Sequence, residues 1–112
     1  MEHIDLAALQ ELQEVMEDEY NQLVETFIRD SEQRIAAMDK ALLEHNAEQM
    51  RELAHSLKGS CLNMFITPLA QQAREIENLA REQQLEPISS LIAGLQQEFK
   101  IVSRLLKETL TD

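Results

Sequence analysis

The stretch Ala54-His55-Ser56-Leu57-Lys58-Gly59-Ser60 sets a histidine, a lysine and a glycine at helical spacing. Residues three and four apart share one face of a helix, so His55, Lys58 and Gly59 present an imidazole, a cation and bare backbone together. Neutral imidazole is a nucleophile near pH 7, and a neighbouring ammonium offsets charge on phosphoryl oxygens. The trio is therefore suited to accept a phosphoryl group. Gly59 lets another protein's backbone approach closely; in mid-helix it costs about 1 kcal/mol relative to alanine, which points to a compensating use. The plainer alternatives are a solvated surface histidine and a glycine that serves helix packing.

The elements that must hold these residues are helices. From about Asp18 to Leu43, apolar residues fall at Tyr20, Leu23, Val24, Phe27, Ile28, Ile35, Met38 and Leu42, the spacing of a one-faced helix. Asn46, with Gln49 three residues on, caps a second stripe of Met50, Leu53, Ala54, Leu57, Cys61 and Met64. Thr67-Pro68 starts a third with Leu69, Ala73, Ile76 and Ala80 inward, and Pro87 starts a fourth that runs from Ile88 to Leu110. Asp5 caps a short opening helix, with Ile4 and Leu9 as a hydrophobic staple. The expected fold is all-α: an antiparallel four-helix bundle with a short additional N-terminal helix, residues 1–112 forming one domain. At about 100° per residue, His55 points about 150° away from the centre of its helix's apolar stripe, towards solvent. Arg51, Lys58, Gly59 and Leu62 lie within about 60° of it.

Composition narrows the partners. Four aromatic residues, two glycines and two prolines among 112 residues favour helix over sheet. A formal net charge of −11 removes the basic footprint that nucleic acid or an anionic membrane requires. No apolar run approaches the roughly 18 to 20 residues of a membrane span, and the acidic start is unlike a signal peptide, so a cytoplasmic protein is expected. The single cysteine, Cys61, sits on the stripe of Leu57 and Met64 and reads as buried filler.

The full string from Ala54 to Ser60, followed by Asn63, resembles the signature of histidine-containing phosphotransfer (HPt) domains. The likeness extends through Leu69 and Ile76-Glu77, and the order of helices is similar over essentially the whole chain. Segments around Leu12-Gln13-Glu14-Val15-Met16 and Thr26-Phe27 resemble standalone pseudomonad members of that family. The resemblance implies that His55 is the phosphoacceptor, that Lys58 neutralises phosphate charge and that Gly59 is the small position beside the histidine. It also implies that Glu77 hydrogen-bonds and orients the histidine ring. Arg81, one turn further, matches a position that is basic in some members and steers the partner there; otherwise it is a solvated helix charge. The chain departs from the family after Asn63, where Met64-Phe65-Ile66 stands in place of the usual glycine, so Phe65 is either a core plug or an exposed contact.

By that resemblance the protein is a phosphoryl carrier of a multistep phosphorelay, with no ATP-dependent kinase activity and no cofactor of its own. It takes the group from a receiver-domain phosphoaspartate, such as that of a hybrid sensor kinase, and passes it to a response-regulator receiver. The receiver supplies magnesium, and the carrier is expected to be a monomer. The apolar side of the first helix, through some of Leu6, Leu9 and Leu12, is expected to widen the docking surface. A helical adaptor that never becomes phosphorylated is the main alternative. Glu52-Leu53-Ala54-His55 also has the Glu-x-x-His spacing of di-iron bundles, but it occurs once and both residues project away from the apolar stripe. His3 and His45 have no ligand partner at useful spacing and read as surface residues.

Overall fold

The computed structural model describes residues 3–110. Five helices follow in order: α1 (Leu6–Met16), α2 (Tyr20–Leu43), α3 (Ala47–Asn63), α4 (Thr67–Arg81) and α5 (Glu86–Lys107), with a single 3-10 turn, Glu17–Glu19, between the first two. No strand occurs among the described residues, and α2 to α5 form the antiparallel bundle with α1 as the additional N-terminal helix. No helix among them is long and apolar enough to cross a membrane.

Four of the five helices start where a side-chain cap or a proline ring favours it. Asp5 Oδ1 accepts from the Ala8 amide at 3.1 Å, and Asn46 Oδ1 accepts from the Gln49 amide at 3.0 Å, each satisfying a donor that the first helical turn leaves open. Thr67 does not cap α4 as its sequence position led us to expect. Ile66 occupies the cap position, its carbonyl accepting from Ala70 at 3.2 Å, and Pro68 falls within the first turn. The reason lies in the preceding turn, which closes so tightly that its last residue is already the entry to α4.

That turn has a form that recurs. After α3, the Ile66 amide bonds the Cys61 carbonyl and the Phe65 amide bonds that of Leu62, with Phe65 in the left-handed region at φ 61°. This is the Schellman pattern, in which glycine usually takes the left-handed position. The turns after α2 and α4 repeat it, with His45 at φ 55° and Gln83 at φ 60°. A non-glycine residue there costs about 1–2 kcal/mol, and this chain carries three. The missing glycine after Asn63 thus changes neither the length of α3 nor the type of stop, only the strain in it.

The predicted stripes all turn inward. Val24, Met38, Met50, Leu57, Leu69, Ile76, Ile88, Leu95 and Val102 are buried in one apolar core that also takes in Ile4 and Leu9, the two ends of the N-terminal staple. Cys61 lies in the same core, where burial, against a smaller opposing effect of the Arg34 charge, pushes its thiol up to about 12, so it is inert filler. Segments near both ends of the described residues are tied to the bundle. Tyr20 shares a hydrogen bond with Thr109 Oγ1, Gln13 Nε2 donates to the Thr109 carbonyl, and the Asp5 amide donates to the Phe65 carbonyl at 2.9 Å.

Candidate functional site

His55 stands on the outer side of α3 with 64% of its side chain exposed, as the helical projection requires. Facing it from α4 is Glu77, whose side chain is only 3% exposed. Glu77 falls on the inward stripe between Ala73 and Ala80, both buried and small. A carboxylate buried this deeply must have its oxygens satisfied, or it would be neutral or expelled.

Three donors satisfy it. His55 Nδ1 lies 2.8 Å from Oε2, Lys58 Nζ donates to Oε1 at 2.7 Å, and Arg81 Nη2 reaches Oε2 at 3.2 Å while its Nη1 holds Asn78 Oδ1 at 2.9 Å. Burial pushes the Glu77 carboxyl up, but the hydrogen bonds from Lys58 and His55 and the charges beside it outweigh burial and hold it below its ordinary value. Glu77 is therefore ionised at neutral pH and can only accept. In the neutral ring the proton therefore sits on Nδ1, and Nε2, which has no protein partner among the described residues, carries the lone pair.

The chemistry available follows from that geometry. The ring is fixed in one tautomer with its free nitrogen on an exposed helix face. Lys58 spends one of three N–H donors on Glu77 and retains two for an anion at Nε2. Summed over Glu77, Lys58 and Arg81, the site carries one positive charge in excess beside the imidazole, inside a strongly acidic protein. An incoming phosphoryl group meets a locally favourable field.

Gly59 is exposed, and a Cβ built on it meets nothing within 4 Å. Internal helix packing therefore does not account for it. Arg81 is placed differently from a free steering charge, since it is engaged with Glu77 and Asn78. The double anchoring of Lys58 and Arg81 on Glu77 was not legible in the sequence; the available signal was a lone glutamate on the buried stripe of α4.

Other expectations change. Of the three leucines on α1, Leu9 is fully buried, Leu12 is partly buried against the core and Leu6 is exposed, so the expected apolar surface loses Leu9. His3 is not simply a surface residue: its Nδ1 lies 2.5 Å from Oε2 of Glu98, a largely buried side chain on α5. His45 takes the left-handed position of the turn after α2. Glu52 is exposed, and no group of three metal-ligating side chains occurs among the described residues.

Comparison with known proteins agrees with the geometry. The chain is 33% identical over 78 residues to the phosphorelay intermediate protein YPD1 of Candida albicans, a match covering 67% of this chain and 42% of that protein. The chain thus spans less than half the length of this curated relative. The fold superposes on the crystal structure of histidine-containing phosphotransfer protein B (HptB) from Pseudomonas aeruginosa PAO1 with a TM-score of 0.91 at 42% identity, covering 95% of this chain and 92% of that one. The family model for the Hpt domain matches residues 22–108, from within α2 to the end of α5, and the chain belongs to that family.

Proposed function

We propose that this protein is a histidine phosphotransfer carrier of a multistep phosphorelay, and that His55 is its phosphoacceptor. The observation that carries the reading is the pairing of exposed His55 with buried, ionised Glu77, which leaves Nε2 as a nucleophile directed at a docked partner.

A phosphoaspartyl receiver domain brings its acyl phosphate to the His55 face. Nε2 forms a bond to phosphorus as the bond to the aspartyl oxygen breaks, and the electron pair returns to the aspartate carboxylate. The Nδ1 proton stays in place against Glu77, which stabilises the positive charge that develops on the ring. The two free N–H groups of Lys58 stabilise the equatorial oxygens, and open space at Gly59 admits the receiver's backbone. The reverse sequence on a second receiver returns the group to an aspartate. Any divalent cation is the receiver's contribution: here the one buried carboxylate already faces two fixed positive charges, an arrangement that disfavours a third.

A panel of receiver domains charged with labelled acetyl phosphate tests the proposal. The wild-type chain should gain an acid-labile label from at least one of them. His55→Gln should gain none, and label retained by that variant would refute the assignment. An adaptor that never carries phosphate would stay unlabelled in both forms.

A further inference from the structure

α2 and α5 lie side by side but leave a groove between them. It consists of two adjoining hollows, about 510 Å³ and 460 Å³, that share Glu32, Phe99 and Lys100. The floor is apolar: Ile35 and Phe99 are buried beneath it, and the exposed Ala36 presents only a methyl group. Gln96 Nε2 donates to Asp39 Oδ2 at 2.9 Å and bridges the two helices at one end. From Gln96 to Glu108 the wall is about 18 Å long, a little over three helical turns. The helices touch in the cyclic order α2, α3, α4, α5, with no contact across the diagonal. The groove is therefore on the side of the bundle opposite the α3–α4 face that carries His55 and Glu77.

Lys100, Arg104 and Lys107 line the α5 wall. Spaced by four and then three residues, they fall within about 60° of one another on the helical projection. None of them forms a hydrogen bond or an ion pair among the described residues, whereas Arg51, Lys58 and Arg81 each find a carboxylate. This is unusual in a chain with 21 acidic residues against 10 lysines and arginines. Glu32 and Glu108 line the same hollow, which still holds one positive charge in excess, and Asp39 stands on the α2 wall at the bridged end. The helix dipole accounts for cations in the last turn, where Arg104 and Lys107 sit. It does not reach Lys100 and sets no preference among the faces of the helix.

An apolar floor with a strip of unpaired cations along one wall matches an amphipathic helix that has an acidic flank. We propose that this groove docks such a helix from a partner protein, its apolar stripe on Ala36 and Phe99 and its carboxylates against Lys100, Arg104 and Lys107. Charge complementarity selects this occupant. A bare polyanion would leave the apolar floor in water, and a second copy of this chain approaches against a net charge of −11 on each side. Because the groove and His55 lie on opposite sides of the bundle, this helix and a partner at His55 can be bound at once. The proposal stands whether or not His55 carries phosphate.

The probe is a synthetic, fluorophore-labelled peptide of about 14 residues, close to four turns of helix, built from alanine, leucine and glutamate with leucine at every third or fourth position. A scrambled isomer has the same charge and no apolar stripe. Fluorescence anisotropy at low salt should show saturable binding of the amphipathic peptide, with a Kd at least about tenfold below that of the scrambled one. Replacing Lys100→Gln, Arg104→Gln and Lys107→Gln together should raise that Kd at least about tenfold and flatten its salt dependence. Ala36→Gln fills the floor from an exposed helix position and leaves every charge in place; it should raise the Kd about fivefold with an unchanged melting temperature. Amide shifts on binding should cluster on α2 and α5. No binding below about 1 mM, or wild-type affinity in either variant, overturns the proposal. Equal affinity for the two peptides also overturns it, because the groove would then be a general polyanion site. Shifts centred on α3 and α4, or wild-type dimerisation that the triple variant abolishes, would assign the helix to the His55 face or the groove to a second copy, and either result overturns the proposal.

Discussion

Glu77 on α4 holds Nδ1 of His55 on α3 at 2.8 Å, and the same carboxylate holds Lys58 at 2.7 Å. One buried group thus sets both the tautomer of the neutral imidazole and the position of the cation beside it. The relationship crosses between helices, so the site exists only when α3 and α4 are packed in register.

Glu77 links the site to stability through pH. Its folded-state value is lowered, so its ionised form stabilises the fold fully above the unfolded value near 4.5, and this contribution is lost as pH falls through the lower folded value. Glu77→Gln should therefore be less stable than wild type at neutral pH by about 1–3 kcal/mol, with the gap closing as the solution is acidified below the unfolded value. Denaturant unfolding at a series of pH values measures the difference, and a gap that stays constant down to strong acid would contradict the assignment of Glu77 as ionised.

Lys58→Ala should leave the bundle folded, since the side chain lies at the surface of the site and Glu77 keeps two other donors. Transfer from a phosphorylated receiver should slow by about 100-fold, the low end of the scale for removing one positioned donor from a developing anion. Single-turnover rates with saturating receiver test this, and equal rates would show that the ammonium acts only as a structural partner of Glu77.

Gly59→Ala separates helix propensity from partner access. With open space around the new Cβ, the substitution should stabilise α3 by about 0.5–1 kcal/mol. Larger side chains at the same position, such as Gly59→Leu, should progressively raise KM for the receiver. Thermal unfolding and transfer kinetics on the series check both trends, and a leucine variant with wild-type KM would remove Gly59 from the docking surface.

His45 and Gln83 offer a control on the turns. Each adopts a left-handed φ without glycine, in the turns after α2 and α4. His45→Gly and Gln83→Gly should each stabilise the protein by about 0.5–1 kcal/mol, the strain relieved less the chain entropy that glycine adds to the unfolded state. Transfer should be unaltered. A loss of stability would mean that the two side chains hold contacts worth more than the strain.

Much of the fold was legible because helix formation and amphipathic burial are local properties. The stripes running from Val24 to Met38, Met50 to Cys61, Leu69 to Ala80 and Ile88 to Leu106 all pack into or against the core, and the Asn46 and Asp5 caps form as their side-chain chemistry dictates. The errors occurred where a neighbour in space decided the outcome. Thr67 gave up the cap because a tight turn on Phe65 delivered Ile66 there first. Leu9 turned inward because the bundle needed it to complete the core above Ile4. His3 found a buried carboxylate 95 residues away in α5.

The order of the helices, the outward direction of His55 and its spacing to Lys58 and Gly59 belong to the sequence alone, because a 3.6-residue repeat sets which side chains share a face whatever the helix packs against. The charge state and tautomer at the site belong to the tertiary structure. They depend on Glu77 losing water between two helices and on Lys58 and Arg81 converging on its oxygens, and neither desolvation nor convergence is a property of a single helix. The join between the start of α1 and the turn after α3 was decided the same way: it brings together two segments far apart along the chain through a backbone bond from Asp5 to Phe65.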